Sequence, residues 1–194
     1  MGETGAAGDG GTKDRILNSS LSLFADKGYA AVSVSEICSS CGITKPSLYY
    51  HFQGKEGLFR SAGEYALELF TNAYGGAFIY SGDIISGIQG LFTAFHRFSG
   101  DFPEAHRLLF ALLFSDPHSH ERRLGGASAG ELRKAIETFF QAAAAGHGNL
   151  NNKLSVLPMN FLGTVWAFTR LSSPDAGEQQ LQLAAKTFLH GVFS

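Results

Sequence analysis

The sequence predicts an all-α fold, and three observations carry that expectation. Apolar residues recur three and four positions apart along nearly the whole chain. Helix punctuation separates these stripes: Gly28, Gly42, Pro46, Pro103, Pro117, Pro158 and Pro174 stand among serine, threonine and aspartate caps. No stretch shows strand-like alternation bounded by turn residues. About nine helices are expected over 194 residues, a length that suits one or two domains.

The opening MGETGAAGDGG has no apolar periodicity, so residues 1–11 are expected to form a disordered leader. Ile16, Leu17, Leu21, Phe24 and Ala25 make the inward stripe of a first helix that stops at Gly28. Ser33 and Glu36 then form a capping box, with Val34, Ile37, Cys38 and Cys41 on one face of a second helix. Gly42 suits the left-handed conformation that ends it, and Ile43 pins the turn. Thr44 caps a third helix whose first turn tolerates Pro46, with Leu48 and Phe52 inward. Two short helices hinged at a glycine over residues 33–52 are a helix-turn-helix pattern.

The other face of that third helix suits a phosphate backbone. Ser33, Thr44, Lys45, Pro46, Ser47, Tyr49, Tyr50, His51 and Lys55 are the candidate DNA contacts. Lysine attracts phosphates, hydroxyls bond phosphate oxygens or base edges, and a helix N-terminus favours an anion. Taken singly, each residue is equally at home on a half-buried helix; the ordered combination points to double-stranded DNA. The net charge of −2 hides a bias, because residues 13–60 carry six basic against four acidic side chains.

This segment resembles the N-terminal domain of the TetR/AcrR family of bacterial transcriptional regulators. The resemblance covers residues 12–70 and rests on LFADKGY, the apolar-Gly-Ile-Thr-Lys turn, LYYHF and KEGLF. Cys38 and Cys41 stand where small alanines are usual, and Gly54 replaces a polar cap, which is expected to loosen the start of the fourth helix. The resemblance implies a DNA-binding domain over 12–70 and a helical ligand-binding and dimerisation domain over 71–194. It also implies a homodimer on a palindromic operator, assembled through the last two helices, about 156–171 and 175–193. Repression relieved by a small effector is the commoner family arrangement, with activation as the alternative.

Downstream, Leu58, Phe59, Ala62, Tyr65, Ala66, Leu69 and Phe70 continue a long fourth helix, broken at Tyr74-Gly75-Gly76. The pattern resumes over 84–98. Pro103, Asp116-Pro117 and Ser173-Pro174-Asp175 are expected to mark helix starts, His147-Gly148-Asn149 a division, and Pro158 a beginning, end or kink. Only 16% of the chain is charged and it holds seventeen phenylalanines, so these helices have more apolar surface than a simple core requires. Phe92, Phe95, His96, Phe110, Phe114, Phe139, Phe140, Phe161 and Trp166 are candidates to line a pocket for a lipophilic effector, with His96 and His106 as polar handles. Plain core packing is the competing reading for each.

Other classes find little support. No nucleophile elbow, zinc-binding helix motif or phosphate-cradling glycine loop appears, so neither an enzyme nor a cofactor is expected. Cys38 and Cys41 form a CxxC without the further ligands zinc needs, and read as two buried thiols, with a redox role as the alternative. Neither a secretory signal nor an apolar run of membrane-spanning length is present, and Ala6 breaks the myristoylation pattern, so a cytoplasmic protein with no membrane partner is expected. The rival to a regulator is a helical carrier of a lipophilic ligand without DNA binding.

Overall fold

The computed structural model describes residues 8–171 and 178–193. Among these residues the chain is helical throughout, without a strand. Nine α-helices follow one another: α1 (Gly8–Ala31), α2 (Val34–Cys41), α3 (Lys45–Phe52), α4 (Lys55–Tyr74), α5 (Ile84–Asp101), α6 (Pro103–Leu113), α7 (His120–Gly146), α8 (Leu157–Leu171) and α9 (Glu178–Phe193). Short 3-10 turns, Gly75–Phe78 and Gly148–Lys153, fall at the two glycine breaks the sequence marks. No helix among the described residues is long and apolar enough to cross a membrane.

Two expected boundaries shift for physical reasons. α1 begins at Gly8, inside the stretch expected to lack structure, because an established helix gains a hydrogen bond for each residue it adds upstream; residues 1–7 lie outside the described ones. Asp116-Pro117 does not start a helix. An Asp116 carboxylate oxygen accepts from the His118 N–H at 2.7 Å, a turn that delays α7 until Ser119 caps it by accepting from the Arg122 N–H at 3.1 Å. Pro103 and Pro158 do sit in the first turns of α6 and α8. Ser173-Pro174-Asp175 lies outside the described residues.

The chain divides into two compact units. The first comprises residues 1–69 and 104–129, the second residues 70–103 and 130–194. The first unit therefore takes in α6 and the start of α7 besides the N-terminal segment, a pairing between distant parts of the chain that local periodicity does not report. Its core is built from Ile16, Leu21, Phe24, Val32, Ile37, Leu48, Leu58 and Phe59, and α6 adds Leu108, Leu109 and Leu112. Gly28 (φ 74°, ψ 164°) breaks α1 where the sequence expects it to stop, and a single turn follows. Arg107 of α6 reaches Asp26 of α1 at 2.8 Å, an exposed pair whose contribution is under about 1 kcal/mol.

The second unit is organised by phenylalanine. Phe92, Phe95, Phe139, Phe140 and Phe161 are fully buried and pack edge-to-face or tilted with Phe188, at centroid separations of 5.2 Å (Phe92–Phe161), 5.4 Å (Phe139–Phe140) and 5.7 Å (Phe161–Phe188). Phe70 extends the cluster against Phe95 and Phe98, both at 4.7 Å. A Cβ on Gly87 would come within 2.7 Å of the Phe139 ring, so α5 presents bare backbone to α7 at that point.

Candidate nucleic-acid interface

The first unit contains a short helix on a rigid turn. Ser33 accepts from the Glu36 N–H at 3.1 Å, and the Glu36 carboxylate accepts in return from the Ser33 N–H, completing the capping box. The Glu36 carboxylate also receives the Lys27 ammonium at 2.5 Å. That hydrogen bond, supported by the Ser33 N–H and the lysine charge, holds its carboxyl below the usual carboxylate range. Gly42 ends α2 in the left-handed region (φ 63°, ψ 39°), and the Ile43 N–H closes back on the Cys38 carbonyl at 3.0 Å. Thr44 caps α3 by accepting from the Ser47 N–H at 3.4 Å, with Pro46 in the first turn.

Leu48 and Phe52 are buried beneath α3. Ser33, Thr44, Lys45 and Pro46 are exposed, Ser47 and His51 half-buried, and Tyr49 and Tyr50 keep 53% and 77% of their surface. The Tyr50 and His51 rings meet edge-on at 5.0 Å. The segment thus presents a lysine, hydroxyls and two large aromatics together on one outer surface, with a capped helix N-terminus at its edge. Such a surface can bond phosphate oxygens and press apolar groups against base edges.

Lys55 stands differently from the other candidates. Its ammonium donates to the Tyr29 and Val32 carbonyls, both at 2.8 Å, and lies 4.0 Å from the centre of the Tyr29 ring. The break at Gly28 and the end of α1 leave these carbonyls without helical partners, and Lys55 supplies them. Burial, then the charges of Glu56 and Glu121, raise the Tyr29 hydroxyl above its ordinary range. Gly54 also differs from expectation. It follows Gln53, itself left-handed at φ 59°, and adopts φ 119°, where an L side chain is strained. A Cβ there would sit 3.2 Å from the Tyr49 ring, so the glycine fixes the path from α3 to α4 rather than loosening it.

Several contributors gave no sequence signal. The Lys27–Glu36 pair spans nine residues and two helices, and Asp26 and Arg107 lie eighty-one apart. Cys38 and Cys41 are free thiols buried on the inner face of α2.

Some of the candidate pocket residues come together and others lie apart. Phe92, Phe95, Phe139, Phe140 and Phe161 are buried together in the ring cluster of the second unit. His96 is half-buried against Phe168 at 5.8 Å. Phe110, buried beside His106, belongs to the first unit. Phe114 and Trp166 are exposed, at 43% and 39%. A groove of about 890 Å³ lies instead between α8 and α9, lined by Leu157, Met159, Gly163, Leu183, Ala184 and Phe188 among others.

Comparison with known proteins agrees with this geometry. The profile of the family described as "Bacterial regulatory proteins, tetR family" matches residues 16–62. The HTH-type transcriptional regulator YerO of Bacillus subtilis (strain 168) is 48% identical over 60 residues, 31% of this chain and 21% of that protein. The IcaR protein of Staphylococcus epidermidis, a negative regulator of the biofilm operon icaADBC, is 31% identical over 107 residues, 55% of this chain and 56% of that protein. The chain thus spans about a fifth and just over half of the lengths of these relatives. The crystal structure of AibR in complex with isovaleryl coenzyme A and operator DNA superposes with a TM-score of 0.69 at 21% identity, covering 94% of this chain and 98% of that one, a likeness of fold. Residues 16–62 thus match the helix-turn-helix domain of the tetR family of bacterial regulatory proteins.

Proposed function

We propose that this protein regulates transcription by binding double-stranded operator DNA as a homodimer, most often as a repressor, and leaves the operator when a small lipophilic effector binds. The carrying observation is the exposed set Thr44, Lys45, Pro46, Tyr49 and Tyr50 on a helix locked by caps at both ends and by the positive φ angles of Gln53 and Gly54. A helix held in this way can enter a major groove without first losing conformational freedom. Repression follows the role of IcaR as a negative regulator. A small-molecule effector follows the complex of AibR with isovaleryl coenzyme A and operator DNA, and release on its binding follows the family arrangement that the resemblance implies. Because Phe92, Phe95, Phe139 and Phe161 are packed against one another, an effector at that cluster would have to separate the rings, and it acts only through its preference for the opened form.

The α8–α9 groove supports the dimer. Its exposed Met159 and Leu183, with small Gly163, Ala184 and Gly191 along it, form an apolar seam where two helices can approach closely. The protein is read as a cytoplasmic binding protein, without catalysis. Electrophoretic shift of a duplex selected from a random pool tests the proposal. Sequence-dependent retardation that an apolar small molecule reverses supports it; sequence-independent or absent binding refutes it.

A further inference from the structure

The first unit holds a cavity of about 240 Å³ that the reading above leaves unused. Phe24 and Tyr29 from the end of α1 and Phe59 from α4 form aromatic walls, with Phe24 and Phe59 meeting edge-on at 4.9 Å and Tyr29 and Phe59 at 5.0 Å. Leu108 and Leu112 of α6 complete the apolar lining. The polar part comes from the turn between α6 and α7: Ser115, Asp116, Ser119 and, in the first turn of α7, Glu121.

The charges on this lining are all of one sign. Asp116 and Glu121 contribute carboxylates, and neither lysine nor arginine lines the cavity. Two cations stand beside the lining and both are already bonded: the Lys55 ammonium on the Tyr29 ring donates to two carbonyls, and the Arg122 guanidinium donates to the Leu112 carbonyl at 2.8 Å. Glu121, with Glu56, also raises the Tyr29 hydroxyl, after burial, so the negative field extends to the aromatic wall. Aromatic faces and carboxylates together favour a positive charge carried on an apolar body; an anion would be repelled, and a neutral molecule would forgo the charge attraction.

We propose that this cavity is a binding site for a small organic cation, an ammonium on a compact aromatic or branched apolar body. Leu112 gives such a ligand a way to act. Its side chain is seated between bare backbone on two helices, since a Cβ would come within 2.6 Å of it at Gly125 and 3.2 Å at Gly63. A ligand pressing on Leu112 has no slack in that direction and displaces α6 within the unit that carries α3. That consequence rests on the proposed DNA binding; the site itself does not.

Calorimetric titration of the full chain without DNA, using benzylammonium chloride, tests the site. Benzyl alcohol and benzoate serve as neutral and anionic probes of the same size. Benzylammonium is expected to bind at least about threefold more tightly than benzyl alcohol, benzoate to give no heat, and Asp116→Asn and Glu121→Gln each to weaken binding about threefold. Ala111→Trp, an exposed lining position on α6, should remove binding while the melting temperature and helical circular dichroism stay unchanged. Absent heat with benzylammonium, equal binding of the alcohol, or full binding by Ala111→Trp overturns the proposal. Each of these results stands whether or not the chain binds DNA, because no duplex is present.

Discussion

Tyr49 and Lys55 are both candidate DNA contacts, yet the structure holds them differently. Tyr49 is half exposed above a buried Leu48, so Tyr49→Ala should weaken duplex binding severalfold with an unchanged melting temperature, readable by paired gel-shift and thermal denaturation. Lys55→Ala should lower stability itself by about 1–2 kcal/mol, because it strips partners from the Tyr29 and Val32 carbonyls. Denaturant titration of Lys55→Ala that matches the parent would contradict that role. Gly54→Ala should cost about 1–3 kcal/mol through the strain of its φ of 119°. Glu36 adds a pH signature. Its native pKa is lowered, chiefly by the Lys27 hydrogen bond, so its stabilisation is complete above about pH 5 and is lost as pH falls through the native value. The stability gap between the parent and Glu36→Gln should therefore close as pH drops from about 5 toward 3; a gap that stays constant over that range would show that the ion pair is not formed. The sequence shows the capping box that holds Glu36 but not Lys27, because a contact between separate helices leaves no mark on local spacing.

Elements were legible to the extent that their signals were local. α2, the Gly42 turn and α3 follow from Ser33, Gly42, Thr44 and Pro46, each of which satisfies or removes a backbone group within four residues. The start of α6 follows from Pro103 in the same way, while Pro158, for which a beginning, an end and a kink all stay open in the sequence, lies in the first turn of α8. Asp116-Pro117 misleads because aspartate before proline serves a turn as readily as a cap, and Ser119 takes the capping role. The aromatic stripes were visible as stripes, but whether they enclose space depends on how rings from four helices interlock. Edge-to-face packing around Phe161 fills that space. Phe161→Ala should accordingly cost about 3–5 kcal/mol in denaturant unfolding. A cost below about 1 kcal/mol would mean that the ring already borders a void.

At the scale of the whole molecule, the proposed function requires the seam between α8 and α9 and the surface of α3 to serve together. One short helix makes too few contacts to select a sequence, whereas two related by a twofold axis read half-sites one helical turn apart. Leu183, 64% exposed beside the seam, is the position to disturb. Leu183→Glu should shift sedimentation from dimer to monomer and reduce operator affinity by at least tenfold while leaving helical content unchanged. A dimer seam of this kind leaves only a weak trace in a sequence, because a second copy and a ligand both make use of apolar helix faces.

Selection of the preferred duplex from a random pool, followed by footprinting of the winner, addresses the central claim most directly. The account predicts a twofold-symmetric sequence whose half-sites are protected on one face of the duplex about 34–36 Å apart, centre to centre. An unenriched pool, or a single asymmetric half-site bound equally well by Leu183→Glu, would contradict it.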